Sequence, residues 1–209
     1  MSADWFRNST WNEDIARDFE ERLRRARRKD QYLRIQAFTL AETYPEVALR
    51  LLDRFFALHD PFDLASAHVA RATAYLALGR TEEAVEAYEA ALECERLMPS
   101  IITEARTALP FLIATRQLRS HYDRAVQILA RQDPHDLEFP VTHFQRHAAL
   151  ALICSDLPDR EHARTHARLA LEWAEQDHSG FHKHPSLGLV GKEHARLRRR
   201  LREIANTSP

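Results

Sequence analysis

Histidine is the residue type most unevenly spread along this 209-residue chain, with ten of its twelve copies from His121 onward. His143 and His147 are spaced i, i+4, and so are His162 and His166. On helices, each pair would share one face. Imidazole is a common metal ligand, and two such pairs on the two helices of one hairpin could hold an ion. A metal site needs three or four ligands, however, and no carboxylate or cysteine recurs with these pairs at ligand spacing. Helical register places His147 near a helix seam and His162 toward solvent. The sequence is therefore read as carrying seam and surface histidines, with no metal and no cofactor.

Other chemistry finds less support. Gly79 is the only glycine before residue 180, so no glycine-rich loop is available to cradle a phosphate between a strand and a helix. No serine or cysteine has the surroundings of an activated nucleophile. The acidic residues fall on helix faces beside arginines at helical spacing, which describes a solvated face. Cys94 and Cys154 sit on apolar helical faces and read as a reduced, buried pair in a cytosolic protein. No enzymatic activity is expected.

The net charge is −1, so no global field drives the chain onto nucleic acid or an anionic membrane. The stretches Arg22 to Lys29 and Lys192 to Arg202 are nevertheless basic and could meet phosphates, which makes nucleic-acid binding the alternative function. Neither interleaves aromatics with its basic residues as a single-strand binder would. The N-terminal MSADWFRNSTWNED has no apolar core of signal-peptide length, and no segment approaches the ~18 apolar residues of a membrane span. A soluble, cytoplasmic protein is expected.

The elements that carry these residues are helical. Alanine, leucine, glutamate and arginine dominate and only four glycines occur, as suits a nearly all-helical chain. The clearest segment is Ala67–Met98. Ala67, Ala70, Ala74, Tyr75 and Leu78 recur at three- and four-residue spacing on a first helix. Gly79 supplies a left-handed C-terminal cap, Thr81 can cap the next helix, and Glu82 and Glu83 fall in its first turn. The second helix buries Ala84, Tyr88, Ala91 and Leu92. These residues resemble a tetratricopeptide repeat, whose small–aromatic–small signature is matched by Ala84, Tyr88 and Ala91 and whose turn is matched by Leu78-Gly79.

Weaker copies fall at about 30–60, 100–133 and 140–175. Their marks are Ala48, Leu52 and Phe55 in the first, Ala125 and Leu129 in the third, and Ala163, Ala167 and Ala170 in the fourth. The anchors Ala48, Ala84, Ala125 and Ala163 lie 36, 41 and 38 residues apart, longer than the ~34-residue period of such repeats. First helices are expected over about 30–43, 62–78, 100–118 and 140–155. Pro45 should open a second helix, Pro61, Pro99, Pro134, Pro140 and Pro158 should punctuate boundaries, and Pro110 should kink or split the third first-helix. Repeats of this kind stack and need capped ends. A helix over 11–29, started by a Thr10/Glu13 capping box and burying Trp11, Ile15, Phe19, Leu23 and Ala26, suits the N-terminal cap. Trp5 and Phe6 should dock somewhere. A helix over 190–205 with Leu197, Leu201 and Ile204 buried suits the C-terminal cap.

The expected fold class is thus all-α: one domain over 1–209, an α-solenoid of antiparallel helix pairs resembling a tetratricopeptide superhelix. Four hairpins span 30–178, and a Gly/His loop over 179–191 joins the last repeat to the C-terminal cap. The resemblance implies a non-enzymatic protein-binding module of a bacterial type, an adaptor or an inhibitor of a partner protein. Its concave groove, carried over by position, would be lined by Leu33, Arg34, Ala37, Val69, Thr73, Gln145, Ala148 and Leu152. The Lys/Asn carboxylate clamp of some family members is missing, and only Arg34 offers positive charge there. An amphipathic helix or apolar peptide would suit such a groove, or the protein's own termini could fill it. The partner-binding candidates are Arg34, Thr73 and Gln145, with Phe181, His182, Lys183 and His184 in the loop, where glycines let a partner approach backbone amides closely.

Overall fold

A computed structural model of the chain describes residues 4–58, 63–131 and 139–207. The described residues form ten α-helices and two short 3-10 turns, without a strand. The chain divides into two compact units, Met1–Ala105 and Arg106–Pro209.

The first unit holds α1 (Glu13–Arg25), α2 (Lys29–Leu40), α3 (Pro45–Phe56), α4 (Leu64–Ala77) and α5 (Thr81–Leu97). Helix α1 starts two residues later than its capping box implies. Asn12, not Thr10, is the cap, and its Oδ1 accepts the Ile15 N–H at 2.9 Å. Thr10 lies outside the first turn and cannot reach those amides. The helix also stops at Arg25 rather than near Lys29, because Ala26 turns extended and α2 opens three residues on. Its apolar stripe buries Phe19 and Leu23 fully, while Trp11, Ile15 and Ala26 are half-buried. Pro45 occupies the first turn of α3, where its missing N–H costs no hydrogen bond. Ala48, Leu52 and Phe55 are all buried.

Helices α4 and α5 pack on each other across the turn Leu78–Arg80. Gly79 is left-handed at φ 73°. Its N–H donates to Leu76 O at 3.0 Å, and Arg80 N–H to Tyr75 O at 2.9 Å. This is the double hydrogen bond that closes a helix on a glycine. Leu78 is part of that cap and 36% exposed, so it leaves the buried stripe assigned to it. Thr81 is the first helical residue and caps nothing; no side chain caps α5. Arg80 instead turns back to Glu83 (Nε to Oε1, 2.8 Å) and lies 4.6 Å over the Tyr75 ring. Ala84, Tyr88 and Ala91 are buried.

The second unit takes in nearly all of α6 (Ala105–Thr115), whose first residue ends the first unit, with α7 (Tyr122–Ala130), α8 (Pro140–Asp156), α9 (Arg160–Ala174) and α10 (Ala195–Ala205). Helix α6 is shorter than the expected 100–118. Buried Glu95 accepts the Thr103 N–H and hydroxyl at 2.8 and 2.6 Å, and Thr103 Oγ1 in turn accepts the Ala105 N–H at 3.2 Å. Those bonds hold the chain out of the helix until Ala105. Pro110 neither splits nor ends α6, which runs on to Thr115.

At its C-terminus α6 uses the same double bond as α4. Gln117 N–H reaches Ala114 O at 3.3 Å and Leu118 N–H reaches Ile113 O at 2.9 Å. The left-handed residue here is Gln117, at φ 56°. Helices α8 and α9 pack closely, α10 packs on both, and α7 packs on α8. Phe144, Ala148, Ala151, Ala167, Ala170 and Leu201 form a shared core. Helix α10 begins at Ala195 rather than 190, after a 3-10 turn; Leu201 and Ala205 are buried while Leu197 and Ile204 are half-buried. Pro61 and Pro134 lie outside the described residues.

Candidate partner-binding surfaces

In the first unit, most positions assigned to a groove are core instead. Leu33, Ala37 and Val69 are 3%, 0% and 2% exposed, because α2 and α4 are covered on these faces by their neighbours. Arg34 is half-buried, with Nε 3.0 Å from Asp63 Oδ2 but out of line for a hydrogen bond. Thr73 Oγ1 donates to Val69 O at 3.1 Å, and Thr73 is among the groups that act on the buried Tyr88 phenol. That phenol is pushed up to about 12, by burial first and then by Glu104. The Thr73 hydroxyl is therefore engaged within the α4–α5 pair.

The N-terminal segment covers part of α2. Trp5 packs on Tyr32 and Phe19, with ring centroids 4.9 and 5.4 Å apart, and Phe6 packs on Tyr32 at 4.7 Å. Gln36 is fully buried. Its Nε2 donates to Asn8 O at 2.8 Å and its Oε1 accepts both N–H groups of Asn8, backbone and side chain, at 3.0 Å. A side-chain amide thus reads the Asn8 backbone in both directions, which satisfies a buried polar group that would otherwise be costly. Sequence reading missed this contact. Its signal was a lone glutamine on the apolar face of α2, among Leu33, Ala37 and Leu40.

The arginines of α1 are largely neutralised. Arg22 bonds Asp18 at 2.9 Å, Arg25 bonds Glu21 at 3.0 Å, Arg17 bonds Asp14, and Arg54 of α3 bonds Glu20. In α10, Arg200 approaches Asp156 at 3.8 Å, while Arg196, Arg199 and Arg202 are exposed.

In the second unit, Ala148 and Leu152 are buried core residues at 0% and 1% exposure, so they do not line a groove. Gln145 beside them is half-buried. The loop over 179–191 is tightly bonded to itself. Ser179 N–H donates to Pro185 O at 2.7 Å, its Oγ to His184 O at 2.8 Å, and Ser179 Oγ accepts the Phe181 N–H at 3.1 Å. Gly188, left-handed at φ 70°, lies so close to Phe139 that a Cβ would run into that ring, and Val141 N–H donates to Gly188 O at 2.8 Å. This scaffold leaves Phe181, His182, Lys183 and His184 exposed, with Phe181 tilted on Phe139 at 4.9 Å.

The i, i+4 histidine pairs separate as register suggests. His162 is exposed and bonds Asp159, the cap of α9, at 2.9 Å; that partner raises its pKa. His147 and His166 are half-buried and meet across the α8–α9 seam, Nδ1 to Nδ1 at 3.1 Å. Burial, and then the charges of His166, Arg146 and His143, push His147 down to about 4. His166 is lowered by burial and by His162. His143 stacks on Trp173 at 4.1 Å and is lowered by burial and Arg146. Among the described residues no three or more His, Cys, Asp or Glu side chains are grouped to hold a metal, and no helix is long and apolar enough to cross a membrane.

Residues 65–95 match the tetratricopeptide repeat family. That span covers α4, its glycine turn and most of α5, the segment with the buried Ala84–Tyr88–Ala91 signature. Repeats of this family form protein–protein interaction modules. No curated protein matches the chain, and no solved structure does.

Proposed function

We propose that this protein is a non-enzymatic interaction module, an adaptor or an inhibitor, that binds a peptide or helix of another protein. The observation that carries the reading is the repeat match over residues 65–95, together with burial of the three signature residues in α5. On this reading α2–α3, α4–α5 and α8–α9 are antiparallel hairpins of a solenoid within their units, since connections of three or four residues favour antiparallel neighbours.

The binding residues are Arg34, Thr73 and Gln145 on first helices and Phe181, His182, Lys183 and His184 in the loop. Thr73 already gives its hydroxyl proton to Val69 O, so it meets a partner as an acceptor. The loop is more accessible than the first-helix positions: an aromatic ring beside a lysine and two histidines suits an apolar peptide flanked by carboxylates.

Affinity capture from the native host, read by mass spectrometry, compares the wild type with Arg34→Glu, Phe181→Ala and the double variant Arg199→Gln/Arg202→Gln. The module reading expects one partner protein to be retained by wild type and lost with Arg34→Glu or Phe181→Ala. Nucleic acid retained by wild type and lost only with the arginine pair would overturn it, since neutralised phosphate contacts weaken such binding.

A further inference from the structure

We propose that the His147–His166 contact is a proton-operated latch: closed at neutral pH, it loosens the α8–α9 pair in mild acid. The two Nδ1 atoms, 3.1 Å apart, form a hydrogen bond only when one imidazole is neutral and presents a lone pair to the other's N–H. Protonating both sets two N–H groups and two positive charges face to face across the seam. Exposed histidines could turn away, but these two are half-buried between packed helices and α8 is held on its other faces by α7 and α10.

The surrounding charges favour the same outcome. On α8, His143 and Arg146 act on His147; on α9, His162 acts on His166. Asp159 is the opposing group, and its carboxylate is taken by the His162 ring and backbone. No described charged group of α7 or α10 is among those acting on the pair. The same unit holds two further imidazoles whose pKa is lowered by burial, buried His143 against Trp173 and half-buried His194 beside Phe111 and Phe144.

The sign follows from linkage. Both folded-state values lie below the ordinary one, so the unfolded chain binds protons first. The stabilisation is complete above the ordinary histidine pKa and is lost as pH falls from there toward the folded value, about 4 for His147. With solvent access discounting the full shift, the loss in α8–α9 between pH 7.5 and 5.0 is about tenfold in the opening equilibrium.

The test is amide hydrogen exchange of the full chain at pH 7.5 and 5.0, corrected for intrinsic rates and read by segment. Wild type should lose about tenfold protection over residues 140–174, and His147→Leu/His166→Leu no more than about threefold, since the apolar pair gains no proton and only the retained His143 and His194 can still do so. Equal losses in wild type and the double variant would overturn the proposal. Should the variant not fold, proton NMR titration of the wild-type rings decides. A midpoint below about pH 5.5 for at least one of the two rings sustains the latch, and midpoints at or above that value for both rings contradict it.

Discussion

The α4–α5 and α6–α7 segments close their first helices with the same pair of backbone hydrogen bonds, yet the first reads as a clear repeat and matches the family while the second reads as a weak copy. In the first, the residue that must turn left-handed is Gly79; in the second it is Gln117. A β-carbon in that conformation costs about 1–2 kcal/mol, so tertiary packing must hold Gln117 where Gly79 sits without strain. The second helices differ too. Tyr88 is buried on the α5 face, whereas Tyr122 opens α7 and donates its hydroxyl to Asp156 of α8 at 2.6 Å. The turn geometry is common to both segments, while the residues that announce it are present in the first alone.

The largest expected effect tests the stronger segment. Tyr88→Ala should lower stability by about 3–5 kcal/mol, as emptying a buried aromatic site does, and a melting temperature equal to wild type would place Tyr88 outside the core. Next comes Gln36→Ala in the first unit, which strands the Asn8 backbone and opens a fully buried site. A loss of about 2 kcal/mol is expected, with faster exchange of the Trp5–Asn8 amides; unchanged exchange there would mean the segment is held by its aromatic rings alone.

The two turns themselves should respond with opposite sign. Gly79→Ala has room for its Cβ but the wrong φ, so about 1 kcal/mol should be lost. Gln117→Gly relieves strain and should gain up to about 1 kcal/mol, offset in part by the freer unfolded chain. Paired denaturant titrations check both, and a loss at both positions would erase the distinction between the segments.

This contrast also explains what was legible. Helix positions followed from apolar spacing, and the anchors Ala48, Ala84, Ala125 and Ala163 are all buried where periodicity put them. Helix ends were less visible because tertiary partners set them: Glu95 holds back the start of α6, and Asn12 displaces Thr10 as the cap of α1. Groove assignments fared worst. Position within a repeat does not reveal what covers it, so Leu33, Ala37, Val69, Ala148 and Leu152 proved to be core. The Asn8–Gln36 contact spans 28 residues, beyond any local pattern.

The central claim, that this is a protein-binding module, is tested most directly by photo-crosslinking in the native host. A photoreactive residue replaces Gln145 or Phe181 in one set of proteins and exposed Arg17 or Arg199 in another. The account predicts a discrete adduct with the same protein from position 145 or 181 and none from position 17 or 199. Adducts that form only from position 199, or that are destroyed by nuclease, would contradict it.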